Sequence, residues 1–280
     1  MDAQGTQARL PETCDASGAT TGRAVLSNHR DSVRGVDAPT PGDDATMNAA
    51  PPPVPAPWLA RIACLLDTHD RVLIGLTGPP GAGKSTLAAA LQAHHGEIAQ
   101  VVPMDGFHLA QAELERLGRA QRKGAPDTFD AAGFVALLQR LRRQHPHEVV
   151  YAPAFRREIE EPIAGAIAIA PERRLLLIEG NYLLLDSGAW ADVAALLDEA
   201  WYVDVTQAQR MAWLIGRHMR FGRTEAQARQ WVAQTDEPNA RLIDGSRGRA
   251  TCVFRWAFER TSGRPDTGQE ALTAAQGLTP

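Results

Sequence analysis

The chain has 280 residues, of which 44% are apolar and 22% charged, and its formal net charge is −4. This composition is typical of a globular protein with a sizeable core, and the slight acidic balance argues against a nucleic-acid partner. No apolar run reaches the roughly 20 residues of a membrane-spanning helix. The distant cysteines Cys14, Cys64 and Cys252 predict neither a disulfide framework nor a zinc site. We therefore expect a cytoplasmic protein that binds neither nucleic acid nor membrane.

Residues 1–56 are rich in Gly, Ala, Asp and Pro, lack apolar periodicity and end in a run of prolines. Such a segment buries too little apolar surface to offset its ordering entropy, so we predict a disordered extension. Met47 lies just before the proline run, which suggests the hypothesis that residues 1–46 are dispensable. The predicted folded domain spans residues 57–250. Residues 251–280 are predicted to form a C-terminal tail, with a short apolar patch that includes Val253 and Phe254 followed by a loose polar end.

Apolar patterns alternate between the helical and the buried-strand type along this domain. A helical pattern begins at Trp58, and the short apolar run 71–77 predicts a buried parallel strand. Further helices are predicted at 85–95 and 129–144, further strands at 98–104, 174–179 and 200–205, and a last helix after them. This alternation predicts an α/β fold of three layers, with a mostly parallel sheet between helices on both faces.

The strongest motif is a glycine-rich loop that ends in Gly83-Lys84-Ser85 and begins at Gly78. Its glycines let consecutive N–H groups turn inward around phosphates, and the following helix points its positive end at them. Lys84 supplies a charge to the β- and γ-phosphates, and the Ser85 hydroxyl can ligate Mg²⁺. ATP and Mg²⁺ are therefore the predicted cofactors. The predicted binding loop consists of Gly78, Pro79, Pro80, Gly81, Ala82, Gly83, Lys84, Ser85 and Thr86.

Asp105 directly follows the second predicted strand. In a parallel sheet this end of the strand lies on the same edge as the phosphate loop. A carboxylate there could accept the proton of a substrate hydroxyl and hold that hydroxyl in line with the γ-phosphate. The alternative is a loop aspartate that caps a helix.

Three further segments follow: Lys-Gly-x-Pro at 123–126, an aromatic stretch at 151–157 and Glu-Gly at 179–180. Together with Asp-Gly-Phe at 105–107, their order resembles the P-loop kinase superfamily that includes uridine kinase, phosphoribulokinase and bacterial pantothenate kinase. The resemblance covers about residues 58–250. It implies that Asp105 activates the substrate hydroxyl and that Glu179 acts on Mg²⁺, although Glu179 could also be a strand-end carboxylate without a role.

The acceptor side of the site is predicted less sharply. Asp130 fits a helix N-cap better than a substrate ligand, because a helix begins just after it. Where the resembling kinases carry a histidine, this chain has two arginines, and a guanidinium suits a carboxylate or phosphate. The acceptor is therefore left open among nucleosides, pantothenate-like molecules, sugars and sugar acids, with an acidic or phosphorylated acceptor as a hypothesis. The predicted acceptor-binding residues are Phe107, His108, Lys123, Asp127, Tyr151, Arg156, Arg157 and Asn181.

Several arginines, Arg217 and Arg220 among them, lie in the segment 209–235 that follows the last predicted strand. P-loop kinases close an arginine-bearing lid over the phosphates, and the resemblance implies a small helical lid here with Arg217 and Arg220 as catalytic residues. The alternative is the solvated face of an ordinary helix. The sequence as a whole predicts an ATP-dependent kinase that acts on a small-molecule hydroxyl. A P-loop ATPase or an ATP-binding regulatory module is the alternative, and a homodimer is left open.

Overall fold

The computed structural model describes residues 53–256, which form helices and strands around a central sheet. The helices in this range are α1 (Ala56–Thr68), α2 (Lys84–His95), α3 (Gln111–Arg116), α4 (Ala131–Arg142), α5 (Gln207–Arg220), α6 (Glu225–Trp231) and α7 (Glu237–Asp244). The strands are β1 (Val72–Thr77), β2 (Ala99–Pro103), β3 (Val150–Arg156), β4 (Glu161–Ile169), β5 (Leu175–Glu179), β6 (Glu199–Asp204) and β7 (Cys252–Arg255). The predicted extension up to residue 52, and residues 257–280 of the predicted tail, lie outside the described residues.

The central sheet has five parallel strands in the order β2-β5-β1-β6-β7. All six residues of β1 are buried, as expected for a central strand covered on both faces. Because the strands are parallel, the carboxyl ends of β1, β2 and β5 meet at one edge. The phosphate loop, Asp105 and Glu179 therefore lie at the same edge of the sheet.

Two apolar clusters fill the two faces of the sheet. One contains Trp58 and Ile62 of α1 with Leu87 of α2, and the other contains Phe134 and Leu138 of α4. None of the helices within residues 53–256 is long and apolar enough to cross a bilayer. The predicted α/β fold, with helices on both faces of a parallel sheet, is confirmed.

Side-chain caps fix where several helices begin. The Asp130 carboxylate accepts a hydrogen bond from the Gly133 N–H at 2.8 Å, which confirms it as the N-cap of α4. Thr206 caps α5 in the same way, and Thr224 forms a reciprocal capping box with Gln227 at the start of α6. A π-helical turn at Val232–Asp236 leads from α6 into α7. These helices form the segment in which the sequence predicted a lid.

A two-stranded antiparallel hairpin of β3 and β4 stands apart from the central sheet, and the sequence analysis did not predict it. The hairpin packs closely on the turn that follows β2. A Cβ atom at Gly106 would lie 2.3 Å from the Pro153 carbonyl oxygen, so only glycine permits this approach. The contact brings the end of the hairpin next to Asp105.

The sheet continues past the predicted domain boundary at Ala250. Residues Cys252–Arg255 form β7, which pairs in parallel with β6, although the sequence analysis assigned them to the C-terminal tail. The physical reason is Phe254, which is fully buried against Trp58 and Trp256 at ring-centroid distances of 5.1 and 5.0 Å. This short apolar patch is therefore an edge strand of the domain.

Candidate active site

A cavity of about 850 Å³ opens at the carboxyl edge of the sheet. The phosphate loop lies at one end, the β3–β4 hairpin at the other, and the helices α5 to α7 lie along one side. Of the predicted loop residues, those that line the cavity are Pro80, Gly81, Gly83, Lys84, Ser85 and Thr86. Gly78, Pro79 and Ala82 do not line it.

The phosphate loop requires glycine at two positions, one because of its backbone conformation and one because a side chain would have no space. Gly83 has a φ of 86°, in the left-handed region that only glycine adopts cheaply, and it directly precedes α2. A Cβ atom at Gly78 would lie 2.6 Å from the Val203 carbonyl oxygen of β6. The amino end of α2 consequently faces the cavity, which suits an anionic group such as a phosphate.

Lys84 is buried at the first position of α2. Its Nζ donates hydrogen bonds to the carbonyl oxygens of Gly78 at 2.9 Å and Pro79 at 3.1 Å. Burial lowers the pKa of the Lys84 ammonium to about 8, and the nearby carboxylates Glu179 and Asp105 oppose this shift. Hydrogen bonds to the phosphate loop therefore fix the position of the Lys84 amine.

Glu179 ends β5, and Asp105 lies in the turn after β2. Both carboxylates line the cavity beside Lys84, as predicted from their positions at strand ends. Burial raises the pKa of Glu179, and the Lys84 charge and the nearby Ser85 hydroxyl oppose the rise. A polar site thus forms from three neighbouring strand ends.

The oxygen pair of Glu179 and Ser85 fits Mg²⁺, which favours oxygen ligands and usually binds one or two protein groups together with phosphates and water. No cluster of three or more His, Cys, Asp or Glu side chains within the described part of the chain could hold a metal ion by itself. The donor set therefore fits a metal ion that is bound jointly with a nucleotide.

Aromatic rings line the far end of the cavity. The His108 ring lies 3.9 Å from the Phe129 ring and 4.6 Å from the Phe155 ring, centroid to centroid. Its Nδ1 lies 2.7 Å from the Asp105 carbonyl oxygen, and burial lowers the pKa of His108, which favours the neutral ring. Lys123 Nζ lies 5.3 Å from the centre of the Phe155 ring. This end therefore offers an aromatic surface close to Asp105.

The structure brings four of the eight predicted acceptor-binding residues to the cavity, namely His108, Lys123, Arg157 and Asn181. It directs the other four elsewhere. Phe107 packs on Phe134 in the core, and Asp127 pairs with Arg119 and Arg122. Tyr151 is 56% exposed, because alternate residues of β3 point outward, and Arg156 at the end of β3 does not line the cavity either.

The predicted lid arginines Arg217 and Arg220, in the last turn of α5, both line the cavity. Their neighbour His218 is part of a chain of polar contacts. Arg223 Nη1 donates to His218 Nδ1 at 2.6 Å, and His218 Nε2 lies 3.0 Å from Asp236. Since an arginine can only donate, Nδ1 is the acceptor and Nε2–H donates to the carboxylate. These contacts tie the end of α5 to the π-helical turn.

Several cavity residues were missed at the sequence level. Two tryptophans flank Gly83: a Cβ atom there would lie 3.1 Å from Trp256 Nε1 and 4.0 Å from the Trp213 ring. Trp256 directly follows β7 and Trp213 belongs to α5, so only the tertiary fold brings them together. No local motif identifies these tryptophans. The same holds for four other residues that line the cavity, namely Gln111, Glu160, Trp231 and Asn239.

Comparison with known proteins agrees with this geometry. The chain is 37% identical over 195 residues to a Schizosaccharomyces pombe protein named as a candidate uridine kinase (C227.14), an alignment that covers 66% of this chain and 83% of the relative. It is 32% identical over 194 residues to the Escherichia coli protein YggC, covering 67% of this chain and 79% of the relative.

A crystal structure of a candidate fructose transport system kinase from Silicibacter sp. TM1040 superposes with a TM-score of 0.62. The two sequences are 41% identical, and the match covers 70% of this chain and 97% of the other. Residues 73–245 match the family model described as phosphoribulokinase/uridine kinase, a span that contains the phosphate loop, Asp105, Glu179 and α5. The chain therefore belongs to the phosphoribulokinase/uridine kinase family.

Proposed function

We propose that this protein is an ATP-dependent kinase that transfers the γ-phosphoryl group to the hydroxyl of a small molecule. The observation that carries the proposal is the presence of Lys84, Asp105 and Glu179 around one cavity, directly beside the phosphate loop. A pure nucleotide-binding module needs the loop but has no use for a carboxylate on the acceptor side. The cytoplasm, where ATP is abundant, is the proposed place of action.

In the donor half, the phosphate loop and the amino end of α2 bind the phosphates of ATP. Lys84 neutralises charge on the β- and γ-phosphates, and Ser85 and Glu179 would hold a Mg²⁺ ion, which would supply further charge neutralisation. The Trp213 and Trp256 rings beside Gly83 offer apolar faces for the nucleotide base. These assignments leave the opposite end of the cavity for the acceptor.

In the transfer step, the Asp105 carboxylate accepts the proton of the acceptor hydroxyl while the acceptor oxygen attacks the γ-phosphorus. The bond between that phosphorus and the oxygen bridging to the β-phosphate breaks, and ADP leaves with the electron pair. Asp105 suits this role because its side chain is 37% exposed and opens to the cavity. Arg217 and Arg220 on the lid side stabilise the transferring group and exclude water.

An Asp105→Asn variant tests the proposal. The amide keeps the size of the side chain but cannot take the proton, so we expect kcat to fall roughly 100- to 10,000-fold while the Kd for ATP stays within a few fold. The measurement is ADP release in the presence of a panel of hydroxyl acceptors, with ATP binding followed by calorimetry. Asp67→Asn, on the exposed face of α1, is the matched control.

Two outcomes would contradict the proposal. ATP hydrolysis that no acceptor accelerates and that Asp105→Asn leaves unchanged would indicate an ATPase. Tight ATP binding without any turnover would indicate a binding module.

A further inference from the structure

Two cations of the acceptor end meet at one turn of the chain. The turn 157–160 connects β3 to β4, and Arg157 and Glu160 of this turn line the cavity. Lys123 reaches the turn from a separate segment, because its Nζ donates a hydrogen bond to the Glu160 carbonyl oxygen. Glu160 has a φ of 54°. Among the non-glycine residues of the described range, it is the one with a positive φ. Lys123 is thus bound to the same turn that contains Arg157.

Neither cation has a carboxylate partner at hydrogen-bonding distance within residues 53–256. Arg157 is 45% exposed, its guanidinium lies 3.9 Å from Asp105, and within residues 53–256 its side chain makes no hydrogen bond. Lys123 is engaged by a carbonyl group, by the Phe155 ring and by Gln111 at 3.4 Å, but by no carboxylate of the described range. Both side chains therefore keep positive charge available to the cavity.

Basic residues just outside the cavity behave differently. Arg119 and Arg122 both pair with Asp127, and Arg116 pairs with Glu113 at 2.6 Å. Arg157 and Lys123 have no carboxylate that close within residues 53–256, since the 3.9 Å between Arg157 and Asp105 is too long for a hydrogen bond, and an anionic ligand in the cavity would supply one. The carboxylates that do face this end include Asp105 and Glu179, which belong to the transfer site, and Glu160, which forms no ion pair with Lys123.

We infer that the acceptor carries an anionic group, a carboxylate or a phosphate, that Arg157 and Lys123 bind while a hydroxyl of the same molecule lies at Asp105. This inference rests on the proposed kinase function and names its substrate class. The guanidinium of Arg157 can bind either group through two parallel hydrogen bonds. Since Arg157 lies 3.9 Å from Asp105, the anionic group and the reacting hydroxyl are only a few bonds apart. The carbon skeleton packs against the Phe129 and Phe155 rings.

The test compares acceptors with the same number of skeleton carbons, with and without an anionic group. Glycerol, D-glycerate and glycerol 3-phosphate form one set, and ribose, ribonate and ribose 5-phosphate form a second, with kcat/KM measured from ADP release. We expect a charged member to exceed its neutral partner on the order of 10- to 100-fold, since one or two charge-assisted hydrogen bonds distinguish them. The carboxylate and phosphate arms show which group the site takes.

Two variants connect the preference to the residues. Arg157→Gln and Lys123→Met should remove most of the preference by raising the KM of the charged acceptor, whereas the KM for ATP should change little. Arg116→Gln is the matched control, because this arginine lies on α3 near the acceptor end, is 68% exposed and does not line the cavity. Rescue by Arg157→Lys should be partial, since an ammonium lacks the two-pronged geometry.

The outcomes separate this inference from the kinase proposal. Turnover of the neutral members equal to or better than the charged ones would overturn the inference and leave the kinase proposal standing. If no member is turned over, the kinase proposal is contradicted for these acceptors, and calorimetry with D-glycerate and glycerol 3-phosphate then decides the anion site. Saturable binding that Arg157→Gln weakens would support the site, and no binding to the wild-type protein would overturn it.

Discussion

Lys84 combines two properties that oppose each other, namely burial and positive charge. Burial lowers its pKa to about 8, so the free amine begins to lose its proton just above neutral pH. The phosphates of ATP would favour the charged form and raise that pKa in the complex. The charge of this side chain is therefore coupled to the binding of the nucleotide.

The coupling predicts how ATP affinity changes with pH. Because the charged amine binds phosphates better, the Kd for ATP should be nearly constant below about pH 8 and then rise by up to about tenfold per pH unit. Calorimetry or fluorescence titration between about pH 7 and about pH 9.5 measures this. Lys84→Met is the control, with weak binding that does not depend on pH over the same range. A constant wild-type Kd would contradict the prediction.

At the level of single residues, the sequence predicted the donor half of the site better than the acceptor half. The phosphate loop is a contiguous motif, and Asp105 follows a strand whose end can be read from its apolar run. Tyr151 and Asp127 were predicted to bind the acceptor but lie away from the cavity. Their directions depend on the phase of β3 and on competing ion pairs, which no local pattern contains.

The end of α5 is the element that carries the lid arginines. Arg217 and Arg220 line the cavity from the last turn of this helix, and contacts between His218 and Asp236 hold that turn against the next segment. The Arg217 side chain lies near Lys84, since its charge is among those that affect the Lys84 pKa. This position suits stabilisation of a transferring phosphoryl group rather than recognition of the acceptor.

Mutation of this element should separate turnover from binding. Arg217→Ala combined with Arg220→Ala should lower kcat roughly 100-fold or more, because charge on the transferring group is greatest in the transition state. The Kd for ATP should rise only a few fold. Arg229→Ala on α6 is the matched control, since this arginine is 63% exposed and does not line the cavity. Unchanged turnover in the double variant would contradict the lid role and would support the alternative that α5 is an ordinary solvated helix.

Elements with a strong period were predicted well, and the weakly patterned ones were missed. The helices α2, α4 and α5 and the buried strands β1, β5 and β6 all match predicted segments. The β3–β4 hairpin was missed because much of β4 consists of alanine and glycine, with little alternation between apolar and polar residues. Its position next to Asp105 comes from tertiary packing at Gly106, which explains why the acceptor end was the least predictable part.

At the scale of the whole molecule, the sheet is completed by a strand from the far end of the chain. The strand β7 pairs with β6 beyond the predicted boundary at Ala250 and adds an edge next to the phosphate loop. Parallel pairing with a distant segment leaves only a short local signal, here a few apolar residues. Phe254 joins this edge to α1 through Trp58, so the two ends of the described range pack against each other.

This packing predicts that β7 stabilises the domain. Phe254→Ala removes a fully buried ring between two tryptophans and should lower the free energy of unfolding by roughly 3–5 kcal/mol. Arg255→Ala on the same strand removes only an ion pair of a 64% exposed side chain with Asp204, so its cost should stay below about 1 kcal/mol. Urea unfolding followed by tryptophan fluorescence measures both, because Trp58 and Trp256 contact the altered ring. Equal stability of the two variants would contradict this role of β7 and would support the assignment of residues 252–255 to the tail.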